Sequence, residues 1–180
     1  KNAKQANFDM IEIHAANGYL IDQFLRDRTN KRSDNYGGSI ENRSRSLLEI
    51  IDRVIKIYPA ARVGCRIAPV STFNDISDSN PKELFTYVAK ELGKRNIGYL
   101  HVIEGNTGGD RNNQAFDYLN LYRAFKETGG LASMPINGYR KELAEAAQDE
   151  IDFICFGRPF FSNPDLFEKL QDNFQLPQGD

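Results

Sequence analysis

Three observations on this 180-residue chain predict an α/β fold built on a parallel sheet. Short β-branched runs alternate strictly with longer amphipathic ones, strand before helix each time. The strands are two-faced, apolar on one side and polar on the other. Nothing marks a second domain, and the length suffices for one sizeable core. Helices would cover the apolar face, and the polar face would point into a barrel near its C-terminal mouth.

Strands are expected at residues 8–14, 62–67, 99–103, 131–136 and 151–156, with helices at 40–58, 81–95, 114–128, 140–147 and 164–170. Lys1 to Ala6 read as the tail of a helix already under way, and the chain has no initiator Met, so an excerpt from a longer protein is expected. In the first strand Ile11 and Ile13 share one face, while Met10, Glu12 and His14 share the other. In the second, Val63, Cys65 and Ile67 oppose Gly64 and Arg66. Leu47, Leu48, Ile51, Val54 and Ile55 recur at helical spacing, with Ser39 placed as the N-cap of their helix. Asn80-Pro81 gives the next helix a cap and a first-turn proline. Five units do not close a (β/α)8 barrel: three are missing, which leaves sheet edges that need cover.

A net charge of −2 and a pI near 5.8, with Lys and Arg scattered among acids, point away from nucleic acid as a partner. No apolar run approaches the ~18 residues that cross a bilayer, and no signal peptide is visible, so no membrane partner is expected. Cys65 and Cys155 lack metal-ligand spacing. They are expected to be reduced, buried core residues of a cytoplasmic protein, and no metal site is expected.

His14-Ala15-Ala16-Asn17-Gly18-Tyr19 ends the first strand with an imidazole, an amide and a phenol. All three donate hydrogen bonds, which suits holding a carbonyl oxygen and delivering a proton to its carbon skeleton. Read singly, His14 is equally a core histidine, Asn17-Gly18 a turn and Tyr19 a packing residue. The stretch from Arg32 to Arg43 contains Gly37-Gly38-Ser39, a turn feeding a helix, and reads as a polar lock holding a loop above the mouth. Residues 104–113, rich in Gly and polar groups, lack the Gly-Lys-Ser/Thr ending of a phosphate loop and read as a mobile mouth loop. Phe73, after the Arg66 strand, is a candidate for covering the pocket.

Together two of these segments resemble the old yellow enzyme family of flavin-dependent ene-reductases. The family pattern H-x-x-[NH]-G-Y-L-x-x-Q-F-L is met by His14, Asn17, Gly18, Tyr19, Leu20, Gln23, Phe24 and Leu25. Its second pattern, N-x-R-[ST]-D-x-Y-G-G-S-x-E-N-R, is met by Asn30, Arg32, Ser33, Asp34, Tyr36, Gly37, Gly38, Ser39, Glu41, Asn42 and Arg43. Residues 63–69 look like the family's fifth strand, and residues 156–166 like its eighth strand and phosphate turn. The resemblance implies a (β/α)8 TIM barrel. Residues 1–180 would be the C-terminal portion of a single FMN-binding domain, covering strands 4–8.

The resemblance implies roles as well. His14 and Asn17 would grip the substrate's carbonyl oxygen, and Tyr19 would be the catalytic proton donor to the α-carbon. FMN would bind at Arg66, Asn137, Gly138, Gly157 and Arg158, with NADPH or NADH as electron donor. The substrate would be a small enone or another activated alkene. Arg66 would stabilise negative charge on the reduced ring, or else be a buried arginine paired with a carboxylate. Asn137 stands where the family has glycine, and asparagine is among the few other residues that accept a positive φ.

Two alternatives remain at this level. Iron–sulfur relatives that reduce dienoyl-CoA share both segments, but the cysteine-free tail through Asp180 favours the simple FMN form. A non-catalytic half-barrel acting as a scaffold or binding module is the reading from a different class.

Overall fold

The computed structural model describes residues 1–108, 111 and 116–171. Its elements run α1 (Asn2–Gln5), β1 (Ile11–Ala15), α2 (Leu20–Leu25), α3 (Ile40–Val54), β2 (Val63–Ile67), α4 (Pro81–Gly93), β3 (Tyr99–Ile103), α5 (Tyr118–Lys126), β4 (Ala132–Ile136), α6 (Lys141–Ala147), α7 (Arg158–Ser162) and α8 (Leu166–Gln171). The four strands form one parallel sheet in the order β1-β2-β3-β4, each joined to the next by a helical crossover. Ser39 accepts from Asn42 N–H at 3.3 Å and Asn80 from Glu83 N–H at 3.3 Å, so both expected caps form.

The core lies between the sheet and its helices. Val63, Cys65, Ile67, Leu100 and Val102 are fully buried against Leu47 and Ile51 of α3, Leu84, Phe85, Val88 and Leu92 of α4, and Phe125 of α5. The apolar faces predicted for β2 and α3 are the ones buried, since removing each such side chain from water contributes ~1.5–3 kcal/mol.

Two expectations need correction. The fifth strand, predicted at 151–156, does not form; only Cys155 makes a bridge, with Ile136. Phe153 and Cys155 donate their N–H groups to Ser133 O (3.1 Å) and Pro135 O (3.0 Å). The two β4 residues that accept these bonds return none: Pro135 has no N–H, and Ser133 spends its own on the Asp152 carboxylate at 2.8 Å. A parallel ladder cannot extend on donors from one side alone. Cys155 is accordingly only partly buried, whereas Cys65 is fully buried; both thiols are free. Burial pushes both thiols up, so neither is a thiolate nucleophile.

Helix α2 was not expected. Six residues are too few to show a helical period, and Tyr19 at its N-cap makes no side-chain capping bond. The helix expected at 114–128 is seen as Tyr118–Lys126, and residues 114 and 115 lie outside the described residues. The cysteine-free tail from residue 172 also lies outside them. Among the described residues, no helix is long and apolar enough to cross a membrane.

Candidate functional site at the C-terminal strand ends

Parallel register carries chemistry-bearing side chains to one edge of the sheet. His14 of β1 pairs with Arg66 of β2, which pairs with His101 of β3. All three alternate with buried apolar neighbours and so share the sheet's other face. Burial, then the Arg66 charge, lowers the pKa of His14, which is therefore a neutral hydrogen-bond donor at pH 7. Nε of Arg66 is buried and has no hydrogen-bond partner among the described residues.

The turn after β1 is built to present its side chains. Asn17 and Gly18 both take left-handed backbone, at φ 58° and 70°. Gly18 is required there: a Cβ would lie 2.8 Å from Phe73 O and 2.7 Å from Asn74 Cβ. Gly18 N–H donates to Asp22 Oδ2 at 3.0 Å, and Asn74 Nδ2 donates to Asn17 O at 2.8 Å. The reversal brings Tyr19 back over His14, with ring centroids 5.4 Å apart. Tyr19 remains about half exposed, at 53%. His14 and Tyr19 are thus brought together, with Asn17 between them in the turn.

Beneath this turn lies a buried ion pair that sequence reasoning missed. Arg26 Nε meets Asp22 Oδ1 at 2.8 Å, and its Nη1 and Nη2 donate to Pro69 O (2.9 Å) and Ala68 O (2.5 Å). Arg26 therefore fastens the loop after β1 to the loop after β2. The i,i+4 spacing of Asp22 and Arg26 on a short helix was the available signal.

The 30–43 stretch is a lock of side chains on backbone carbonyls. Asn30 Nδ2 donates to Phe24 O and Tyr36 O, Asn42 Nδ2 to Gly37 O, and Arg43 Nη1 to Leu25 O. Arg43 also pairs with Asp78 at 2.6 Å. None of these groups reaches the strand-end cluster, in line with the structural reading of this motif.

The other predicted residues sit beyond β4. Asn137 adopts φ 101° and Gly138 φ 65°, so the asparagine does hold the left-handed backbone expected of it. Its Nδ2 donates to Glu104 O (2.6 Å) and Asn106 O (2.8 Å). Glu104, only 5% exposed, accepts from Tyr122, Tyr139 and Arg111, and Arg111 Nη1 returns to Asn137 O at 2.6 Å. Residues 104–107 are therefore anchored; Gly109, Asp110, Asn112 and Asn113 of the predicted mouth loop lie outside the described residues. Gly157 and Arg158 follow the Cys155 bridge, and Arg158 Nη2 donates to Gly108 O at 2.6 Å. Phe73 is exposed. A surface cleft of about 330 Å³ lies away from these residues, between Phe24, Arg32, Tyr36 and Glu49.

An unpartnered guanidinium nitrogen on the inner face and two successive left-handed residues in the loop after β4 fit a flat, anionic, hydrogen-bonding cofactor such as FMN. Among the described residues, no cluster of three or more His, Cys, Asp or Glu is arranged to hold a metal.

A parallel α/β sheet with polar groups gathered at its C-terminal edge is the arrangement of a partial barrel with its site at the mouth. Residues 1–177 match the NADH:flavin oxidoreductase / NADH oxidase family, and the chain belongs to it. It is 41% identical over 173 residues to a putative 12-oxophytodienoate reductase 11 of Oryza sativa subsp. japonica, covering 95% of this chain and 47% of that protein. It is 40% identical over 186 residues to a probable flavin mononucleotide-dependent alkene reductase of Leishmania infantum, covering 100% and 48%. Morphinone reductase in complex with tetrahydroNAD superposes with a TM-score of 0.87 at 36% identity, over 99% of this chain and 47% of that one. An old yellow enzyme homologue from Zymomonas mobilis gives 0.86 at 38%, over 97% and 49%. The chain spans about half the length of the relatives it matches.

Proposed function

We propose that this chain is the C-terminal portion of a single (β/α)8 barrel domain that binds FMN and reduces the C=C bond of α,β-unsaturated carbonyl or nitro compounds. NADPH or NADH would be the electron source, and the free cysteines suit a cytoplasmic setting. The observation that carries this reading is a neutral His14 near the end of β1, beside Arg66, with Asn17 and Tyr19 in the turn that follows.

FMN, when bound and reduced by the nicotinamide, supplies the hydride. Arg66 would hold it through its unpartnered Nε and stabilise negative charge on the ring. Asn137, Gly138, Gly157 and Arg158 would take its phosphate, the backbone N–H groups and the Arg158 fork being the donors. His14 and Asn17 donate to the substrate's carbonyl oxygen, drawing electron density from the conjugated double bond. Tyr19, 5.4 Å from His14 between ring centroids, delivers the proton to the α-carbon.

The complete protein containing this chain tests the reading. It should purify with a flavin absorption spectrum, lose that colour with NADPH or NADH, and regain it on addition of cyclohex-2-enone. A colourless protein that stays colourless with added FMN overturns the proposal and favours a scaffold. A flavoprotein bleached by nicotinamide but not recoloured by any activated alkene overturns the substrate class alone.

A further inference from the structure

We infer that Ser71 and Thr107 form a hydroxyl relay that fixes which end of the Asn17 side-chain amide faces the pocket. This rests on the reading above, in which Asn17 donates to the substrate oxygen. The three residues come from three different loops, those after β2, β3 and β1.

Hydrogen-bond accounting sets the direction. A hydroxyl has one proton to give and two lone pairs to offer. Ser71 is buried, and its Oγ accepts from Phe73 N–H (3.3 Å) and Thr107 N–H (3.2 Å), which occupies both lone pairs. Its proton therefore goes to Thr107 Oγ1, 2.8 Å away. Thr107 accepts that proton and gives its own to Asn17 Oδ1 at 2.7 Å. The carbonyl end of the amide is thereby committed inward, and the donor end, Nδ2, has no partner among the described residues. Flipping the amide would leave the Thr107 proton with no acceptor among the described residues, since both Ser71 lone pairs are taken, and would turn a carbonyl oxygen toward the substrate's oxygen. Two acceptors would then face each other. Thr107 touches no reacting atom on this account; it is a positioning residue that acts through Asn17.

The test uses the FMN-loaded full-length protein in its oxidised form, without nicotinamide, so that cyclohex-2-enone binds without turnover. Thr107→Val and Thr107→Ala are made in parallel, and whichever folds with FMN is read. Losing one oriented hydrogen bond should weaken enone binding about ten-fold, and Thr107→Ser should stay within about two-fold of the parent. In an Asn17→Ala background the Thr107 substitution should add less than about two-fold, because the relay then has nothing to orient. A full additional loss in that background overturns the relay, as does parental affinity in both Thr107 variants. A second readout needs no enone: the side-chain amide signals of Asn17 in a ¹⁵N-asparagine-labelled sample. They should move in Thr107→Val and return in Thr107→Ser, and unmoved signals overturn the relay. If Asn17→Ala alone leaves enone binding unchanged, the carbonyl-grip reading fails, and the amide signals still decide the relay.

Discussion

His101 reaches Glu12 across the strand between them: Nδ1 of the imidazole lies 2.8 Å from Oε2 of the carboxylate. The strand β2 contributes Gly64 at the level of Glu12, and the ring of Tyr99 lies over that glycine. A side chain on β2 at that point would fall in the space the Tyr99 ring fills.

Gly64→Ala is therefore expected to destabilise the fold. Its Cβ would fall 2.1 Å from Tyr99 Cζ, well inside van der Waals contact. Overpacking of this kind costs ~1–3 kcal/mol. Urea unfolding measures it, and a midpoint equal to the parent's refutes the close-approach argument.

The same contact gives a pH dependence. Burial pushes Glu12 up, but the hydrogen bond from His101, with the charges of His101 and Arg66, brings its carboxyl below the ordinary 4.5. A carboxylate depressed in the folded state stabilises the fold above its unfolded pKa and loses that contribution as pH falls through the folded one. Unfolding midpoints should thus drop as the solution is acidified below about pH 4.5, and Glu12→Gln should flatten that part of the profile. An identical acid limb in the variant assigns the loss to other carboxylates.

Asp22→Ala should be costly. It leaves Arg26, only 1% exposed, without its carboxylate and Gly18 N–H without an acceptor. Breaking one side of a buried pair costs ~3–5 kcal/mol, whereas removing both partners together costs less. The double variant Asp22→Leu with Arg26→Met should accordingly be more stable than Asp22→Ala in urea. The reverse order contradicts the buried-charge explanation.

Tyr19→Phe separates the two halves of the proposed reaction. In the full-length protein, flavin reduction by nicotinamide should be nearly unchanged, while reoxidation by an enone slows by about 10²-fold or more. Stopped-flow traces of each half-reaction read both, and equal slowing in the two removes Tyr19 from the role of proton donor.

Local signals were legible in the sequence because they depend on near neighbours. Ser39 and Asn80 cap as their types predict, the Leu47–Ile51 face is buried, and Asn137 takes a positive φ because few other residues would. Contacts between strands were not legible. Glu12 and His101 are 89 positions apart, and only the register of β1, β2 and β3 brings them to one face of the sheet. The fifth strand failed for a related reason. Its own residues are apolar enough, but whether it pairs depends on donors that β4 must supply. At the site, the motif exposed His14, Asn17 and Tyr19, whereas Ser71 and Thr107 come from loops whose proximity exists only once the sheet has formed; the Asp22–Arg26 pair, at i,i+4 along α2, did carry a local signal.

The sparse backbone bonding between β4 and the segment holding Cys155 has a thermodynamic corollary. Gly157 and Arg158 follow that segment directly, so the phosphate they are proposed to hold would sit on a part of the chain joined to the sheet by few backbone bonds. Ligand binding there and closure of the seam would then be linked equilibria, each favouring the other by the same factor. Amide exchange at Phe153 and Cys155 would then slow as phosphate-bearing ligand is added, which makes those two N–H groups natural reporters of occupancy at the far end of the site.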